Sequence, residues 1–207
     1  IFIPQFTSDG LYQFDAREDE WTIYNRFLNN KLPRSINTSL SRLRYDELNG
    51  RLYVGSWGQG IFILEDTVVV DSFTCEDGLP TVDGNCQLSN GINTRVSGLD
   101  LDPAGNLWAS FHLAQTPLAV KPVDQPWQQI PSTKFPSGFA IVDMMVDAYG
   151  TVWMLSQGKG LLAYTANNTF DDVQDGSVLA IQSGTGNGGL PTNQVFAIAE
   201  DQDGFIW

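Results

Sequence analysis

Four times along this chain an aspartate is followed by a glycine, an apolar residue and an aromatic, and that recurrence limits the fold more than any other feature. The segments are Asp46-Glu47-Leu48-Asn49-Gly50-Arg51-Leu52-Tyr53, Asp102-Pro103-Ala104-Gly105-Asn106-Leu107-Trp108, Asp147-Ala148-Tyr149-Gly150-Thr151-Val152-Trp153 and Asp201-Gln202-Asp203-Gly204-Phe205-Ile206-Trp207. The last three share one spacing, and the first carries one extra residue. Alternating apolar residues precede the motif, as in Val96-Ser97-Gly98-Leu99-Asp100-Leu101 and Ile141-Val142-Asp143-Met144-Met145-Val146, and a period of two is a strand pattern. Asp-x-x-Gly reads as a tight hairpin turn: the carboxylate accepts from nearby backbone N–H groups and glycine takes the positive φ. The aromatic then opens the next strand.

A third strand fits the short apolar runs opened by Gly10-Leu11, Gly60-Ile61, Pro117-Leu118 and Gly160-Leu161. A fourth is expected around Trp21, Val68 to Val70, Trp127, and Val178 to Ile181. Units end in Leu32-Pro33, Leu79-Pro80, Phe135-Pro136 and Leu190-Pro191, and proline suits a junction because it donates nothing to a ladder. Four antiparallel strands in each repeat of about 45–55 residues predict an all-β propeller segment, about four blades' worth of strands. The expected division is 1–30 as outer strands of a first blade, 31–77, 78–132 and 133–183 as blades, and 184–207 as inner strands of a following blade. A lone blade leaves both faces bare, so neighbours must stack, with the recurring tryptophan filling the space between sheets.

Composition bounds the function. The net charge is −13, from 11 basic and 24 acidic residues, which argues against a nucleic-acid partner. No run approaches the roughly 18 apolar residues of a membrane helix. A start at Ile1 without Met, and an end at Trp207 inside the repeat, suggest an interior piece of a longer protein. Cys75 and Cys86 are expected to close a disulfide loop, the alternative being two unpaired small residues. Their chemistry does not suggest zinc, because His112 is the single histidine.

No motif speaks for catalysis, a cofactor or a metal. Gly184-Thr185-Gly186-Asn187-Gly188-Gly189 spells a dinucleotide fingerprint, but Pro191 and a β-alternating run follow where a helix is needed, so it reads as an inter-blade loop. Asp201-Gln202-Asp203-Gly204 echoes a calcium loop, yet the matching positions Ala104 and Tyr149 are not ligands, so it reads as a turn. There is no Gly-x-Ser-x-Gly elbow, and His112 reads as a solvated loop residue rather than a base. Asn37-Thr38-Ser39 and Asn167-Asn168-Thr169 match glycosylation sequons.

Topology suggests a binding face. In a propeller, loops leading into the innermost strand share one face with loops joining the second and third strands, opposite the Asp-x-x-Gly turns. Those loops hold Arg34, Trp57, Gln59, Arg95, His112, Phe139, Lys159 and Asn193. Basic groups pair with phosphate or carboxylate and aromatics stack on sugar rings. The expected ligand-binding residues are Arg34, Trp57, Arg95, Lys159 and Asn193, and the expected partner is an anionic glycan or a protein.

The run from Gly188 to Trp207, with Gly189-Leu190-Pro191, Asn193, Val195, Ile198, Glu200-Asp201, Asp203-Gly204 and Ile206-Trp207, resembles the two-component regulator propeller repeat. The likeness is specific there, partial near Asp147 and Asp102, and weakest near Asp46. Such repeats form sensor ectodomains of Bacteroidetes hybrid two-component systems and the propellers of PorZ-type proteins of the type IX secretion system. Uneven blade lengths and Gly186-Asn187-Gly188-Gly189-Leu190-Pro191 favour resemblance to the second group. That resemblance implies a non-enzymatic protein of the periplasm or cell surface, one that helps deliver anionic lipopolysaccharide to a sortase within a secretion complex. A ligand-sensing ectodomain is the alternative, and a propeller lyase or glycosidase a third.

Overall fold

A computed structural model describes residues 2–4, 10–24, 39–66, 68–86, 93–167 and 175–207. Arg34 lies outside them, as do Leu32-Pro33 and most of both sequons. The described residues form strands and turns, with two short 3-10 turns at Cys75–Asp77 and Ser132–Lys134.

A first sheet pairs β1 (Phe2–Pro4), β2 (Leu11–Asp15) and β3 (Glu20–Tyr24) in order. The next is a four-stranded antiparallel blade of β4 (Leu40–Asp46), β5 (Arg51–Gly58), β6 (Ile61–Glu65) and β7 (Val68–Phe73). A second blade contains β8 (Thr94–Leu101), β9 (Leu107–Phe111), β10 (Leu118–Lys121) and β11 (Gln128–Gln129). A third contains β12 (Ile141–Val146), β13 (Val152–Ser156), β14 (Gly160–Thr165) and β15 (Ser177–Ile181). The inner strands β4, β8 and β12 are neighbours. Each carries a register shift near its start, at Leu40/Arg42, Val96/Gly98 and Ile141/Asp143, where a bulge bends the strand.

Three apolar clusters lie between consecutive sheets. Leu11 and Tyr24 meet Leu40, Leu52, Val54 and Phe62. Tyr53, Ile61 and Ile63 meet Val96, Leu99, Ala109 and Phe111. Trp108, Leu118 and Val120 meet Met144, Val152, Met154 and Leu162. The first and second blades are thus covered on both faces, which is why β9 (Leu-Trp-Ala-Ser-Phe) of the second is buried along its whole length instead of alternating.

The repeated aspartate does more than cap a turn. Asp102 Oδ1 accepts from the N–H groups of Ala104 and Asn106, while Oδ2 accepts from Trp108 Nε1 at 3.0 Å. Asp147 does the same for Tyr149, Thr151 and Trp153 Nε1 (2.8 Å), and Asp201 for Asp203, Phe205 and Trp207 Nε1 (2.7 Å). One carboxylate therefore closes the turn and anchors the indole six residues later. Those bonds hold the Asp201 carboxyl below the usual carboxylate range, with the Trp207 indole first. The first repeat departs: its extra residue brings Asn49 Nδ2 to Asp46 Oδ2, and Tyr53 replaces tryptophan.

One expectation needs correction. Trp127 is not in a strand; it precedes the two-residue β11, because Pro126 and Pro131 flank that segment and deny it ladder donors. The last repeat closes with reciprocal Ala199–Trp207 backbone bonds and a Glu200–Ile206 bridge.

Cys75 and Cys86 form a disulfide, with Cα atoms 5.5 Å apart across a separation of 11 residues. It closes the loop between the first and second blades, whose Thr74 makes a capping box with Asp77. We expect the double substitution Cys75→Ser/Cys86→Ser to cost about 2–3 kcal/mol of stability, read by urea unfolding. Reductant should lower the wild-type stability equally; an unfolding midpoint insensitive to reductant would refute the link.

Candidate ligand-binding face

The bulged starts of the inner strands bring one part of the expected face together. At the end of β5, Trp57 pairs with Arg95 of β8 and Gly58 with Thr94, so the first two blades share a short stretch of ladder. Directly opposed residues of an antiparallel pair project to the same side. The His112 ring lies 5.0 Å from the Trp57 ring, centroid to centroid, tilted by 32°. The His112 backbone N–H donates to the Arg95 carbonyl at 2.9 Å, and His112 Nδ1 is 3.0 Å from the Ile141 carbonyl of the third blade. His112 is thus a half-buried, positioned ring and not a solvated loop residue: blade packing puts an indole on one side of it and a carbonyl on another.

Other expected residues are placed elsewhere. Lys159 is exposed in the turn between β13 and β14, and its carbonyl accepts from Gln182 Nε2. The Asn193 side chain is engaged, Oδ1 accepting from the Ser183 N–H at 2.7 Å, while its carbonyl accepts from Gly160 N–H. Phe139 packs against the cluster between the second and third blades, which removes it as a free stacking surface. Gln59 bridges to Thr94 and donates its N–H to Ser56 Oγ.

Nearer the line of inner strands, ion pairs join blades. Arg44 Nε meets Asp100 Oδ1 at 2.9 Å, and Arg42 Nε meets Asp143 Oδ1 at 3.0 Å. Asp100 also accepts from the Val146 N–H, and burial pushes its carboxyl above the ordinary value despite both partners. These pairs were not readable from sequence, since they join residues on different blades. Among the described residues, no group of three or more His, Cys, Asp or Glu side chains is arranged to hold a metal ion.

Stacked four-stranded antiparallel blades around neighbouring inner strands define a β-propeller segment. The family model of the two component regulator propeller matches residues 189–207, within the last repeat. No curated protein matches the sequence. Among solved structures, PorZ of Porphyromonas gingivalis, a surface component of the type IX secretion system, is similar at a TM-score of 0.69 and 19% identity, over 95% of this chain and 27% of PorZ. The extracellular domain of BT4673 from B. thetaiotaomicron, assigned to a hybrid two component system, is similar at 0.67 and 19% identity, over 97% of this chain and 23% of that one. Virginiamycin B lyase from Staphylococcus aureus is similar at 0.65 and 13% identity, over 100% of this chain and 58% of the lyase. This chain therefore spans about a quarter of the first two, and at these identities the likeness is one of fold.

Proposed function

We propose that this chain is a non-catalytic binding and scaffold module that works outside the cytoplasm. In the PorZ-like reading it holds anionic lipopolysaccharide for delivery to a sortase within a secretion complex. The observation that carries the reading is the convergence of Trp57, Arg95 and His112 at one end of the blades of a chain of net charge −13, with Lys159 exposed in the β13–β14 turn of the third blade. Asn193 is a further proposed member, as is Arg34 on the sequence reading alone, since it lies outside the described residues. The disulfide agrees with an oxidising compartment, and no helix among the described residues is long and apolar enough to cross a membrane.

The test is binding of the full-length protein to immobilised anionic lipopolysaccharide against an uncharged counterpart. We expect saturable, salt-sensitive binding to the anionic form only, weakened several-fold or more by Arg95→Gln with Lys159→Gln. Equal binding to both surfaces would overturn the reading, and unchanged affinity of the double variant would remove those two residues from the face. A sensing ectodomain is the second reading, favoured by likeness to the BT4673 domain. It calls for capture of a small soluble ligand and indifference to lipopolysaccharide.

A further inference from the structure

Arginines in an acidic chain find carboxylates, and here four of those described have done so. Arg17 meets Asp15, Arg42 meets Asp143, Arg44 meets Asp100 and Arg51 meets Glu65, at 2.7 to 3.0 Å. Arg95 is the exception: among the described residues its guanidinium has neither a carboxylate nor a hydrogen-bond partner. It is half-buried, so the missing counter-charge is not replaced by full hydration. With 24 acidic residues in the chain, a guanidinium left without a carboxylate on a rigid strand points to an anion from outside.

The surroundings say what kind of molecule carries that anion. Trp57, directly opposite Arg95 in the ladder, projects its indole to the same side of the sheet as the Arg95 side chain. The Ile141 carbonyl can only accept, so the hydrogen bond to it puts a proton on His112 Nδ1, and in that tautomer Nε2 is an acceptor. A cation, an aromatic face and a hydrogen-bond acceptor are thus fixed by strands of three blades. A flat apolar ring face with an acid group at one edge and hydroxyl donors at another matches all three. We propose that Trp57, Arg95 and His112 form a subsite for an acidic sugar, a pyranose bearing a carboxylate or a phosphate. Arg95 pairs with the acid group, Trp57 carries the C–H face of the ring, and a ring hydroxyl donates to His112 Nε2. This rests on the binding-face reading above and narrows it: Lys159 and Asn193, held near Gly160, lie outside the subsite.

The experiment is calorimetric titration of the full-length protein with a glucuronic-acid oligosaccharide, a sugar phosphate, and a neutral glucose oligosaccharide. Wild type should bind one or both acidic ligands at least tenfold more tightly than the neutral one, and the acid that responds identifies the source of the charge. Arg95→Gln should abolish that preference, a loss of tenfold or more, while Arg17→Gln, an equal change of charge at a distant turn, should not. Arg95→Lys should restore part of it, and Trp57→Leu should weaken acidic and neutral ligands alike. Wild-type affinity for the acidic ligands in a folded Arg95→Gln protein would overturn the subsite, as would equal affinity of the wild type for acidic and neutral ligands. If lipopolysaccharide still binds in that case, the binding-face reading survives without this subsite. If lipopolysaccharide fails to bind while the oligosaccharide preference holds, the subsite survives and the delivery reading falls.

Discussion

Replacing Trp108 with alanine is expected to cost about 3–5 kcal/mol, the range for deleting a fully buried large aromatic side chain. Trp108 is 1% exposed, lies 5.8 Å from the Tyr164 ring, and packs with Met144, Val152 and Met154 of the next blade. Truncation would open a cavity between two blades and take the indole donor from Asp102 Oδ2. Two comparisons separate those causes. Trp108→Phe keeps most of the ring and loses the indole bond, so about 1 kcal/mol is expected. Trp153→Ala should cost less than Trp108→Ala, because Trp153 makes the same aspartate bond but is only half-buried. Urea unfolding of the four proteins measures all three differences. A Trp108→Ala protein as stable as Trp153→Ala would show that the blade interface is not where this tryptophan acts.

The second large effect is expected at a glycine. Gly160 has φ +85°, and a Cβ built there would stand 2.3 Å from the Ile181 carbonyl oxygen of β15. Gly150 has nearly the same φ, +82°, with nothing within 4 Å of a Cβ. Gly150→Ala therefore meets the left-handed backbone cost alone, about 1–2 kcal/mol. Gly160→Ala adds a collision with backbone that cannot turn aside without breaking the β14–β15 ladder, which should cost about 1–3 kcal/mol more. Gly60→Ala should behave like Gly160→Ala, its Cβ falling 2.1 Å from the Phe73 carbonyl oxygen. Equal stabilities of Gly150→Ala and Gly160→Ala would refute the close approach.

Much of the architecture was legible because its causes are local. An Asp-x-x-Gly turn closes through bonds within four residues, and the glycine that opens the third strand answers to the strand beside it in the same blade. Where local chemistry was misread, a distant contact was responsible. His112 was assigned to solvent because nothing near it in sequence shows that Trp57 and the Ile141 carbonyl, from two other blades, would enclose it. Phe139 counted as a surface aromatic until the packing of the second blade on the third covered it.

The binding face follows the same division. Its side of the propeller follows from strand order, which the repeat reveals. Which of its residues converge depends on the bulge that lets β8 meet β5, and that contact spans most of one repeat. By itself the order of residues determined a strand–turn–strand unit, its repetition, and an acidic surface unsuited to nucleic acid, since each depends on neighbours a few positions apart or on composition alone. Tertiary structure alone decided which of the described arginines was left without a carboxylate among the described residues, because a charge finds its partner through space and the blades bring together residues far apart in the chain.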